Sequence, residues 1–331
     1  QARTNNTAIR EYFADDDTLT NDGMDVTVSV GNLIPTNCYQ IISNTTEDNL
    51  IFLTSDTADS QTAPYSGTVS TTYANTMYIY KYFFDGGEKV QNAWSKWTFT
   101  GVKIIGGMSL ESFIYLLVSE GTTTKLVKVD LRNLKDTTIG HGVYIDLKTS
   151  VTGTYDAATN LTTFTSPYGA KTGLIAVDKT NGNNYTATNT SGSTYTIIGN
   201  HTALYIGVPY ESKYRMSTQY VRENTGRGLV AVTSGRYQIR NISFNFENSG
   251  FFQVEVTPTN RSTSTAIMNG YVIGTATSVI NQPAIATGTL RVPVQCQNTE
   301  FTLDIKSSSH LPLYIAGAEV EGYYHNRARR I

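Results

Sequence analysis

Charged side chains are scarce in this chain. Only 16% of its 331 residues are Asp, Glu, Lys or Arg, against about 25% in a typical soluble domain. The 25 basic and 27 acidic residues leave a net charge of −2. With no surplus of Lys and Arg to neutralise phosphates, a sequence-independent DNA clamp is excluded. Cysteine is almost missing: Cys38 and Cys296 are the whole supply, too few for a disulfide framework or a four-cysteine zinc site. Long apolar runs are missing too. The longest covers residues 113–118, where a membrane helix needs roughly 20. No apolar signal-like segment follows Gln1 and no initiator Met precedes it, so the expectation is a fragment or processed product. Straight-chain helix formers are thinly spread, which argues against helical architecture.

What fills the chain is uncharged polarity and aromatic surface. It holds about 50 threonines and about 25 each of Asn and Ser, with 22 Tyr, 12 Phe and 27 Gly. Hydrophobic residues reach 39% and aromatics 11%, too much for a disordered chain. Thr, Tyr, Phe and Val favour strands, and Gly with Asn and Asp supplies turns. The expected class is all-β.

Hydrophobic phasing gives the organisation. Val26, Val28 and Val30 alternate with Thr27 and Ser29, the pattern of a half-buried strand. Residues 49–54 predict a short buried strand. Residues 76–84 alternate weakly, which predicts cover on both faces, and Asp85-Gly86-Gly87 predicts a tight turn. Val127, Val129 and Leu131 share one strand face. Strands and turns thus follow one another about every 8–12 residues, as in a sandwich or in propeller blades. Residues 149–202 are richest in Thr, Asn and Gly but keep apolar pulses, so they read as a β module with polar loops. Further on, Tyr237 and Ile239 stand in one phase and Ile242, Phe244 and Phe246 in the other, the mark of a β-bulge. Phe252, Val254 and Val256 predict a partner strand after the turn at Asn248-Ser249-Gly250. Leu290, Val292 and Val294 predict a pair with Phe301, Leu303 and Ile305. Four or more such strands make a sandwich.

No residue pattern carries catalysis. His141, His201, His310 and His325 lie far apart in sequence, so satisfied structural or surface histidines are expected rather than zinc ligands. Cys38 and Cys296 are expected to be small buried residues without a basic partner. The acidic stretch Asp15-Asp16-Asp17 to Gly23 fails as a calcium loop, because Leu19 stands where an oxygen ligand is needed. Carboxylates converging from separate strands, as a glycosidase requires, stay open. The densest basic cluster is Arg327, Arg329 and Arg330, a candidate docking arm for an acidic subunit surface or for nucleic acid.

Three segments resemble the tail tubular protein B, or nozzle, family of short-tailed podovirus bacteriophages. The first is Arg10-Glu11-Tyr12-Phe13-Ala14-Asp15-Asp16-Asp17, continued by Asp25-Val26-Thr27 and Ile34-Pro35. The second is Tyr78-Ile79-Tyr80-Lys81-Tyr82-Phe83-Phe84-Asp85, followed by Glu88-Lys89-Val90-Gln91-Asn92-Ala93-Trp94-Ser95-Lys96-Trp97. The third gathers Gly235-Arg236-Tyr237-Gln238-Ile239-Arg240, Gly250-Phe251-Phe252, Ser308-Ser309-His310-Leu311-Pro312 and Gly322-Tyr323-Tyr324-His325-Asn326-Arg327. The likeness runs in order from about residue 8 to the end.

The resemblance implies a structural virion protein at the distal end of the tail, not an enzyme. Six copies would form a ring that closes the DNA channel, joins the tail tube adaptor, helps anchor tail fibres, meets the host surface at its tip and opens for genome ejection. Viral DNA would pass without sequence-specific binding. Such proteins are usually more than twice this length, so an N-terminal portion is expected to be missing. On this reading residues 1–139 are the closing blades of a β-propeller-like region. Residues 140–205 are a Thr/Asn-rich nozzle or dock module, and 206–331 a β-sandwich platform module with the arginine tail. The family offers no catalytic, cofactor or metal residue to carry over. The alternative is a receptor-binding or glycan-degrading phage tail protein.

Overall fold

A computed structural model describes residues 8–15, 20–31, 33–35, 38–55, 73–85, 88–132, 134–226, 228–271 and 279–325. The acidic loop at 16–19, the Gly86-Gly87 turn and the arginine cluster at 327–330 lie outside these residues. The chain falls into two compact units, Gln1–Asn133 and Leu134–Ile331. Among the described residues both are built from strands, and the one helical turn is Val28–Val30.

The first unit opens with a hairpin of β1 (Arg10–Asp15) and β2 (Thr20–Asp25). An antiparallel meander follows, of β3 (Cys38–Asn44), β4 (Asn49–Ser55), β5 (Tyr73–Asp85) and β6 (Glu88–Thr98). A three-stranded meander comes next, of β7 (Lys103–Leu110), β8 (Phe113–Glu120) and β9 (Thr123–Asp130). Strand alternation aims Ile42, Ile51, Leu53, Met77 and Ile79 of the first sheet at Ile104, Ile114, Leu116 and Val118 of the second. Val127, Val129 and Leu131 join them as their phase requires. The opposite phase of the first sheet is also covered: Phe52 and Tyr80 are buried under Trp94, whose indole N–H donates to the Val26 carbonyl at 2.9 Å. That double cover ends before β5 does, for Phe83 and Phe84 are exposed.

Two edge strands of these sheets meet without a backbone ladder. The Gln40 amide does the work of a strand residue, donating to Gly107 O at 2.7 Å and accepting from Gly107 N–H at 3.0 Å. The Tyr39 hydroxyl donates to Ile104 O and the Asn44 amide to Glu111 O. A side chain at Gly107 would stand 2.8 Å from Leu116 and 2.9 Å from the Tyr115 carbonyl, so this approach requires glycine.

The valine alternation misleads at 26–30. Asp25 accepts from the backbone N–H and hydroxyl of Thr27, at 2.8 and 2.6 Å. This local carboxylate bond turns the chain into a 3-10 turn, leaving Val28 exposed; side chains of Asp type compete with the ladder in this way.

The second unit begins with two four-stranded sheets. One is ordered β10 (Asp146–Thr152), β17 (Ala203–Val208), β13 (Ile175–Asp178) and β14 (Asn184–Thr186). The other is ordered β11 (Thr154–Asp156), β12 (Leu161–Thr165), β16 (Thr194–Ile198) and β15 (Thr188–Ser191). Phe164, Leu174, Ala176, Tyr195, Ile197, Leu204 and Ile206 fill the space between them. A second cluster of Val143, Ile145, Ile175 and Val177 covers the far face, so β13 is buried on both sides. Gly153 alone carries the chain from β10 to β11; a Cβ there would lie 2.4 Å from Thr162 and 2.6 Å from the His201 carbonyl.

A sandwich completes the unit. One sheet is ordered β18 (Ser212–Arg215), β25 (Phe301–Ser307), β22 (Phe252–Pro258) and β23 (Ser264–Met268). It faces β24 (Ala286–Gln297), β21 (Arg236–Ser249) and β26 (Ile315–His325). A hairpin of β19 (Arg222–Asn224) and β20 (Leu229–Ala231) stands apart from both sheets. Ile242, Phe244, Phe246, Phe252, Val254 and Val256 are at the centre of the core, each worth roughly 1.5–3 kcal/mol of burial. The phase slip in β21 is a bulge between Ile239 and Asn241 in both of its ladders.

Two expected pairings are corrected. β22 is not the hairpin partner of β21 but lies in the opposite sheet against β25 and β23. β24 pairs β21, not β25. The reason is common to both: runs that face one core show the same alternation whether they pair side by side or oppose each other across it. The crossing from β21 to β22 passes Gly250, where a Cβ would stand 2.6 Å from Leu311.

Candidate functional site

Arg327, Arg329 and Arg330 lie outside the described residues, so their docking role stays a proposal. The strand leading to them is described: β26 runs along β21 to the pair Arg236 and His325 at an edge of the sandwich.

The histidines divide by environment. His201 Nδ1 lies 2.6 Å from Asp178 Oδ2, and its ring rests 4.2 Å from Tyr185. Burial pushes the Asp178 carboxyl up, but bonds from Thr180 and His201 outweigh it and hold the group below the usual carboxylate range. His310 is buried, and its Nε2 donates to Gly182 O at 2.8 Å. Burial drives its pKa down to about 4, aided by neighbouring His141, so the ring is neutral near pH 7. His141 departs from the expectation of a satisfied ring. Its Nδ1 reaches Gly142 O at 2.9 Å, while its buried Nε2 has no partner. Among the described residues no three His, Cys, Asp or Glu side chains converge to hold a metal.

The cysteines also divide. Burial pushes the Cys38 thiol up. Cys296 is buried in the sandwich core but is not without a basic neighbour: Arg261 Nη2 donates to its Sγ at 2.7 Å and to Gln295 O at 3.0 Å. That contact joins residues 35 positions apart, beyond any spacing motif.

Several acids are committed to cations. Asp304 is buried and takes two bonds from Arg215, at 2.6 and 2.8 Å, and one ion pair from Lys213 at 3.0 Å. The Arg215 bonds, against burial, hold its carboxyl far below the usual range. Glu255 pairs with Lys306, and Glu321 with Arg291. Glu255 and Asp304 are register partners on neighbouring strands, each tied to its own cations.

The most conspicuous surface is one sequence reasoning passed over. The outer face of the β7–β8–β9 sheet exposes Met108 at 58%, Leu110 at 55% and Leu126 at 69%, with Leu117 beside them. Lys128 Nζ sits 3.5 Å from the centre of the Phe113 ring on that sheet. The signal was present: the unbroken apolar run at 113–118 gives a strand two apolar faces, of which the core takes one.

Sheets packed about apolar cores define a class, a layered all-β protein. Comparison with known proteins makes the class specific: the chain belongs to the bacteriophage nozzle protein family, whose model matches residues 1–331. It is similar to the tail tubular protein gp12 of Escherichia phage T7, at 27% identity over 350 residues, covering 99% of this chain and 42% of the relative. The chain therefore spans about two fifths of that relative's length. Family and relative mark it as a component of a virion tail. Among solved structures, an exo-beta-1,3-galactanase from Phanerochaete chrysosporium aligns over 95% of this chain and 89% of its own at 9% identity, with a TM-score of 0.20. A likeness at that score carries no argument.

Proposed function

We propose that this chain is part of the distal nozzle ring of a short phage tail, a structural element and not an enzyme. The observation that carries the reading is the family match over the whole of residues 1–331. Six copies close the DNA channel, join the tail tube adaptor, help anchor the fibres and open for genome ejection. The near-neutral composition supports a conduit that does not hold DNA phosphates. A closed ring needs a heterologous interface, and neutral Thr, Tyr and Asn surfaces suit it.

On this reading the two meanders of the first unit are neighbouring blades of a propeller-like region. The exposed apolar face of β7–β8–β9 takes a further sheet of that region, drawn from the additional length that the T7 relative possesses. Residues 140–205 and 206–331 serve as nozzle and platform modules, and Arg327, Arg329 and Arg330 dock on a neighbouring subunit or the adaptor.

Negative-stain imaging of the full-length protein with its adaptor tests the reading. A six-fold ring capping a tube is expected. A free trimeric spike, or release of reducing sugar from host polysaccharide, contradicts it. Replacing Arg327, Arg329 and Arg330 together by Ala is expected to impair ring or adaptor assembly; unchanged assembly in the same images removes the docking role.

A further inference from the structure

A groove at one end of the sandwich brings two arginines together from different parts of the chain. It encloses about 190 Å³. Arg236 enters it from the start of β21, and Arg261 from the turn between β22 and β23. Gln295 and Cys296 of β24 complete the wall with Glu300. The turn that carries Arg261 is pinned in place. Thr259 donates to the Glu300 carbonyl twice, through its N–H at 2.9 Å and its hydroxyl at 3.0 Å.

Both guanidinium groups are held by neutral acceptors alone. Arg261 Nη2 donates to Gln295 O at 3.0 Å and to Cys296 Sγ at 2.7 Å, and Arg236 Nη2 donates to Gln238 Oε1 at 3.2 Å. The Gln295 anchor sits on strained backbone. This residue takes φ +52° at the bulge between β21 and β24, a conformation that a non-glycine residue keeps only where its surroundings impose it. A guanidinium has five N–H donors and a permanent charge, so these bonds leave donors of both arginines to spare. The other arginines in the strands of these two sheets are answered by acids: Arg215 by Asp304, and Arg240 and Arg291 by Glu321. Among the described residues Arg236 and Arg261 form no such ion pair.

The lining states the charge and shape of an occupant. Two positive arginines and one negative Glu300 leave the groove a single positive charge. A monoanion balances it. A phosphate group carries more than one negative charge at pH 7 and would leave an excess beside Glu300. A carboxylate also fits the arginine fork, accepting two parallel N–H bonds from one guanidinium. At roughly 30 Å³ per water the space equals about six waters, room for a carboxyl group and the short stem that bears it.

We propose that this groove binds one carboxylate group, with Arg236 and Arg261 as its donors. The proposal is independent of the nozzle reading and survives its failure.

The test follows the arginine Nε–H resonances by NMR in the complete 331-residue chain at constant ionic strength. The probes are acetate, N-acetylglutamate N-methylamide, inorganic phosphate and chloride. A saturable movement of the Arg236 and Arg261 resonances in the millimolar range is expected with at least one carboxylate, and weaker binding with phosphate and chloride. Arg236→Ala, at an exposed position that guards against loss of fold, is expected to weaken the response of Arg261 at least tenfold. Glu300→Gln removes the competing charge and is expected to tighten carboxylate binding severalfold. Response to the blocked glutamate assigns the site to an acidic side chain of a protein partner; response to acetate alone assigns it to a free small carboxylate. Arginine resonances unmoved by either carboxylate in folded protein overturn the proposal. So does binding of phosphate or chloride as tight as that of carboxylate, or an undiminished response in Arg236→Ala.

Discussion

Two sheets of this protein turn a face to solvent, and they are made of opposite materials. Behind β8 the face carries Met108, Leu110, Leu117 and Leu126. Across β24, β21 and β26 the rows read Pro293, Asn241, Glu321 and Arg291, Ser243, Glu319 and Thr289, Asn245, Gly317. There Glu321 takes bonds from Arg291 and Asn241, and Thr289 donates to Asn245 at 2.7 Å. The second face is finished in water. The first has the composition of an interior, and apolar patches of that kind mark contact surfaces. On the proposed nozzle reading, the first unit is the part of this chain whose layering takes up more protein.

The strongest way to break the comparison is through the inner faces, which should behave alike. Phe244→Ala in the sandwich is expected to cost about 3–5 kcal/mol, and Ile114→Ala on the core face of β8 about 2–5 kcal/mol, read from urea denaturation. Both side chains are fully buried. A cost below about 1 kcal/mol at Ile114 would mean that the first unit is loose throughout, not merely open on one face.

A second effect asks whether the interior near β13 is sealed. The folded pKa of His310 is about 4, below its ordinary 6.5. Between those values the unfolded chain binds the proton and the folded one does not, so stability falls as pH drops from about 6.5 towards 4 and levels off below. The loss should total roughly 2–4 kcal/mol. His310→Gln should flatten that slope; an unchanged slope contradicts the burial argument.

An effect of similar size is expected at Asp304, whose folded carboxyl is held down by Arg215 and Lys213. Its stabilisation is present above the ordinary carboxylate pKa and is lost as pH falls through the depressed folded value. Asp304→Asn should therefore lower the denaturation midpoint at neutral pH and weaken the acid dependence. The smallest effect belongs to the apolar outer face. Leu126→Lys should change the stability of this chain by no more than about 0.5 kcal/mol. The same change in the full-length protein should impair folding or assembly. A core-sized loss in the 331-residue chain would show that the face is already covered.

How much of this could be read from residues depends on distance along the chain. The bulge at Ile239 and Asn241 was legible because a phase slip is local. So were the cores, since Val127, Val129 and Leu131 declare one face by period alone. Pairing was not legible: Phe252, Val254 and Val256 alternate in the same way as a partner of β21 or as its opposite number across the core. The turn at Val28–Val30 was hidden because one carboxylate, Asp25, outbids three valines. His141 and Cys296 were read as quiet residues. Their true neighbours arrive from segments tens of residues away, and no spacing rule reaches them.

Oxidative footprinting of Met108 tests the central claim most directly. In the 331-residue chain this side chain, 58% exposed, should react readily with hydroxyl radical. In the full-length protein it should be strongly protected, while the polar β24–β21–β26 face stays accessible to solvent. Equal reactivity of Met108 in both would contradict the account: the apolar sheet would then be ordinary surface, and the first unit complete as it stands.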